Sequence, residues 1–144
     1  MAVPLIKEVK RSLDRSMLCM FMNVSLDAPP GAGCPVIETV KGADFCILVT
    51  ELTPLGLHDL RIIVETLEEM DIPHGVVINR VGISDRKEVY EYYEKKGISV
   101  PLEVLYQRRI AELYSRGIPF SLEMPEWASR FQRLFEDING LVGK

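Results

Sequence analysis

A chain of 144 residues, 47% hydrophobic and 26% charged, is long enough for one folded core and too short for two. Its net charge of −4, with no long run of like charge, excludes a broad electrostatic grip on nucleic acid or on an anionic membrane surface. Cys19, Cys34 and Cys46 form no C-x-x-C pair and follow no secretory leader, which points to reduced thiols in a cytoplasmic protein.

Residues 4–16 carry Leu5, Ile6, Val9 and Leu13 at helical spacing, with Lys and Arg between them. The apolar run 17–26 is far short of the ~20 residues that cross a bilayer and reads as a buried strand. Its end, Asp27-Ala28-Pro29-Pro30-Gly31, takes the chain out of the sheet, because two prolines and a glycine cannot continue a central strand. Residues 34–41 predict a short helix, with Pro35 suited to its first turn and Gly42 to its end. A second strand follows at 45–50, and then a helix over 56–70 with Leu57, Leu60, Ile63, Val64 and Leu67 on one face. Residues 75–78 read as a third strand. Ser84 is a candidate cap for a helix carrying Val89, Tyr92 and Tyr93 and closed by Gly97. A fourth strand falls within 98–106, followed by a short helix with Ile110, Leu113 and Tyr114 that ends at Gly117. The last helix starts near Pro125 and is expected to bury Trp127, Phe131, Leu134, Phe135, Ile138 and Leu141.

Strands apolar on both faces, alternating with amphipathic helices, call for a mainly parallel sheet between helical layers. The expected fold is α/β: three layers, about four strands with flanking helices, and a single partial domain over residues 1–144.

In such sheets ligands bind beyond the carboxyl ends of the strands. Three polar features fall there: Asp27 with the loop of Pro30 and Gly31, the stretch from Thr50 to Pro54, and Asn79-Arg80. A carboxylate directly after a hydrophobic strand can orient the water shell of Mg²⁺, and a following glycine lets backbone N–H groups approach a phosphate. Aspartate also opens turns with no ligand involved. Asn79 offers both a carbonyl and an amide, suited to a purine edge or to capping a loop. Thr50 and Thr53 suit turn chemistry or a ligand. His58 and His74 have no second ligand at metal spacing. Cys34 at a helix start is either a thiol of lowered pKa or an ordinary one. Tyr90, Tyr92 and Tyr93 read as helix core and rim rather than a base-stacking platform.

The segment Asp27-Ala28-Pro29-Pro30-Gly31-Ala32-Gly33-Cys34-Pro35-Val36-Ile37 strongly resembles the switch II, Walker-B-like segment of MinD/ParA-type P-loop ATPases, in the subgroup with a ferredoxin-like insert. The resemblance continues, in order, through Val49-Thr50-Glu51-Leu52-Thr53-Pro54-Leu55-Gly56-Leu57-His58-Asp59-Leu60, through Val77-Ile78-Asn79-Arg80, and through Ile110-Ala111-Glu112-Leu113-Tyr114-Ser115-Arg116-Gly117. It covers residues 4–117. It implies ATP and Mg²⁺ as cofactors, Asp27 as the Mg²⁺-water ligand, Gly31 as a γ-phosphate sensor and Asn79 on the adenine, with 105–107 closing over the base. Two departures stand out: Leu52 replaces a usual proline, and Val104-Leu105-Tyr106-Gln107 replaces an Ile-Pro-Phe-Asp-like run.

A larger departure is that no G-x-x-x-x-G-K-[ST] occurs, and the first glycine of the chain is Gly31. P-loop N–H groups and lysine supply most of the phosphate binding in such enzymes. The resemblance therefore implies the C-terminal half of an ATPase domain, not competent alone. Asp27, Pro30, Gly31, Thr50, Asn79 and Arg80 would form its share of the site, and the P-loop half would lie on a partner chain or in a longer ATPase of which this chain is a fragment. The alternative is a non-catalytic interaction module that self-associates or binds such a partner, for instance a homodimer through the apolar run 17–26. A redox or iron–sulfur accessory role rests only on the ferredoxin subgroup, which three scattered cysteines support poorly.

Overall fold

The computed structural model describes residues 2–17, 23–83 and 87–142, with the side chains of 14–17 left aside. Helix α1 (Ala2–Met17) leads by an irregular stretch to α2 (Cys34–Val40). Strand β1 (Cys46–Glu51), helix α3 (Pro54–Glu69), strand β2 (His74–Val81), helix α4 (Lys87–Lys96) and strand β3 (Leu102–Leu105) then alternate. Helices α5 (Arg108–Ser115), α6 (Phe120–Glu123) and α7 (Pro125–Val142) complete the chain. The strands form one parallel sheet in the order β1-β2-β3.

The expected α/β sandwich is present, with three strands among the described residues. The first expected strand, over 17–26, is not among them. Residues 18–22 lie outside the described residues, and 23–29 carry no strand; Val24 and Leu26 are exposed. Ser84, the expected cap of α4, also lies outside them. Helix α3 starts two residues earlier than its apolar spacing indicates, because Thr53 caps it and Pro54 fits its first turn.

Two apolar clusters lie on opposite faces of the sheet. On one, Leu48 of β1 and Val76 and Ile78 of β2 meet α2, α3 and α4 through Val36, Val40, Leu60, Val64, Leu67, Val89 and Tyr93. On the other, Val77, Leu102 and Val104 meet Trp127 and Leu134 of α7, with Ile110, Phe120 and Phe131 packed around them. This alternation along β2 is the period-two geometry of a strand buried on both sides. Helix α7 covers β2 and β3 but leaves Ile47 and Val49 of β1 exposed, at 43% and 68%.

Some residues expected in the core are not there. These are Phe135 and Leu141 of α7, both exposed; on α5, Leu113 is fully buried and Tyr114 beside it faces solvent at 84%. The stripe of α7 that meets the sheet runs through Trp127, Phe131, Leu134 and Ile138, so Phe135 falls off it. Helix α1 packs outside the core. Lys10 Nζ donates to the carbonyls of Glu38 (3.0 Å), Thr39 (2.8 Å) and Lys41, at the C-terminal end of α2 where the helix dipole favours a cation.

Trp127 is the largest fully buried side chain, set edge-on to Phe120 at 5.5 Å. Trp127→Ala should cost about 3–5 kcal/mol, read as a lower urea midpoint, whereas Phe135→Ala should move it little.

Candidate functional site

The carboxyl ends of β1, β2 and β3 lie side by side because the strands are parallel. The register pairs Thr50 with Ile78 and Glu51 with Asn79, so two of the singled-out segments are adjacent there. Residues 105–107 join them: Val81 pairs with Leu105, and the Tyr106 N–H donates to the Val81 carbonyl at 2.8 Å.

The end of β2 is irregular. Ile78 pairs with Glu103 but Val81 with Leu105, so β2 holds one more residue than β3 in that interval. Arg80 absorbs the extra residue in a left-handed conformation, φ +55°. Asn79 stabilises it, its Oδ1 accepting the Arg80 N–H at 3.0 Å. The Asn79 NH₂ group remains a donor on a half-buried residue. The Arg80 guanidinium turns back across the strand ends to Glu51, with Nη1 3.3 Å from Oε1. That pair is largely solvated and is worth about 0–1 kcal/mol; it fixes direction more than stability.

The end of β1 is held from the other side. Thr53 Oγ1 accepts the Gly56 N–H at 3.0 Å as the cap of α3, and the Thr50 hydroxyl donates to the Gly56 carbonyl at 3.3 Å. Both threonines thus make turn and cap bonds. Gly56 is required by close approach: a Cβ there would lie 2.6 Å from the Glu51 carbonyl oxygen and 3.0 Å from both threonine hydroxyls.

Asp27, Pro30 and Gly31 belong to the irregular segment that enters α2. Asp27 and Pro30 are exposed, and Gly31 has φ +95°, which glycine adopts freely. No hydrogen bond or ion pair among the described residues joins these three to the strand ends. Asp27 thus follows irregular chain rather than a described strand. Thr50, Asn79 and Arg80 come together at the strand ends, and the Asp27 loop is not tied to them by a hydrogen bond or ion pair among the described residues.

Among the described residues no cluster of three or more His, Cys, Asp or Glu side chains could hold a metal. Cys34 is exposed and Cys46 half-buried, and burial pushes the Cys46 thiol pKa upward, away from reactivity. His58 is exposed, and His74 Nδ1 lies 3.1 Å from the Ile72 carbonyl. Tyr93 is buried while Tyr90 and Tyr92 are half-buried, in keeping with core and rim. A cavity of about 270 Å³ opens between α3 and α4, lined by Leu57, His58, Arg61 and Glu88. The Glu51–Arg80 pair and the approach at Gly56 were not read from the sequence. The Thr-Pro-x-Gly spacing after a strand was the available signal for the second.

Gly56→Ala should therefore destabilise by about 1–3 kcal/mol, since a backbone carbonyl cannot swing aside. A lowered urea midpoint with an unchanged slope is the expected reading, and an unchanged midpoint would show that α3 shifts without cost.

No protein-family model matches the chain. It is 35% identical over 95 residues to the uncharacterized protein MJ0579 of Methanocaldococcus jannaschii, across 66% of this chain and 32% of that one. It is 27% identical over 101 residues to MJ0578 of the same organism, across 70% of this chain and 29% of the other. The chain therefore spans about a third of the length of these curated relatives. Among solved structures it resembles the MinD cell division protein of Aquifex aeolicus, with a TM-score of 0.64 and 18% identity over 99% of this chain and 60% of that chain. The chain has a MinD-like α/β fold.

Proposed function

We propose that the chain supplies one half of a MinD-like ATP site, the Mg²⁺ and adenine side, and that the phosphate-binding half comes from outside these 144 residues, on another polypeptide or elsewhere in a longer protein. The observation that carries this reading is the convergence of Thr50, Asn79, Arg80 and residues 105–107 at one edge of a parallel sheet, where such folds take ligands. The adenine side falls to Asn79, whose NH₂ is free to donate and whose Oδ1 keeps a second lone pair. Tyr106 and Arg80, both exposed, would flank the base.

The Asp27 loop fits Mg²⁺ through water. It combines an exposed carboxylate with a glycine at φ +95° that leaves the backbone open to a close anion. Bound Mg²⁺ would neutralise phosphate charge; Asp27 would orient its water shell, with Pro30 and Gly31 shaping the loop. The 144 residues contain no P-loop lysine, so the phosphates would lack their main cationic partner in this chain alone. We place the working protein in the cytoplasm; no helix among the described residues is long and apolar enough to cross a membrane.

A second reading, a non-catalytic interaction module, is favoured by the uncovered edge of β1, which exposes Ile47 and Val49.

Calorimetry of the chain with Mg-ATP separates the two. The half-site reading expects binding no tighter than about millimolar, roughly −4 kcal/mol, and no hydrolysis above background. Amide shifts on addition of ~10 mM ATP should centre on residues 79, 80 and 105–107 and vanish in Asn79→Ala. Low-micromolar binding would show that the phosphates are held by this chain itself, and shifts absent at 79–80 would leave the interaction module standing.

If a P-loop-bearing chain restores turnover, Asp27→Asn should abolish it without unfolding the protein, because Asn lacks the charge that orders the Mg²⁺ water shell. Unchanged turnover would reduce Asp27 to a turn residue.

A further inference from the structure

We draw no further inference here: the strongest candidate, the cavity between α3 and α4 lined by His58, Arg61 and Glu88 over Leu57 and Val89, mixes basic and acidic groups that select no single class of ligand, and nothing in the structure shows what occupies it.

Discussion

A parallel strand has to be satisfied on two edges and two faces, and β2 is the strand on which all four conditions are met. Its odd and even residues bond β1 and β3, and Val76 and Ile78 face one apolar cluster while Val77 faces the other. Everything else is arranged around it. Helices α3 and α4 pack on one side of it and α7 on the other, and its carboxyl end carries Asn79 and Arg80. The neighbouring strands are each satisfied on the β2 side, and the difference between them is cover: α7 protects Val104 and Leu102 of β3, whereas Val49 of β1 faces solvent.

The alternation of strand and helix was legible because its signals are local. Leu57, Leu60, Ile63, Val64 and Leu67 mark a face at helical period, and Thr53-Pro54 and Gly97 mark a start and a stop. Position 80 was harder. A left-handed arginine is unusual, and the need for it comes from the unequal numbers of residues between paired positions on β2 and β3, which no single stretch of sequence displays. Burial at the end of α7 was misread for a related reason. Phe135 and Leu141 satisfy an apolar rule, but the sheet beneath is only three strands wide among the described residues and offers them nothing to pack against. As for the site, polar residues after apolar runs identified Thr50, Asn79 and Arg80, and the register brings them together. The same rule chose Asp27, where the described chain just before it is irregular and carries no strand.

The two groups of site residues differ in how firmly they are held. Thr50 and Thr53 are fixed by bonds to Gly56, and Asn79 by a bond to its own backbone neighbour, so these side chains are set before any ligand arrives. The Asp27 loop has no such bonds among the described residues. Under the proposed half-site reading, the bonded group would be the base side and the Asp27 loop the anion side.

Helix α1 shows the same economy in another form. The ammonium of Lys10 serves three carbonyls at the end of α2, and no side chain described on α1 is fully buried. The ammonium sits at a helix C-terminus, where the dipole favours a cation, beside the half-buried Val3, Ile6 and Leu13 of α1. Three carbonyls at the end of α2 thus share one cation, so loss of the Lys10 charge would weaken all three bonds at once.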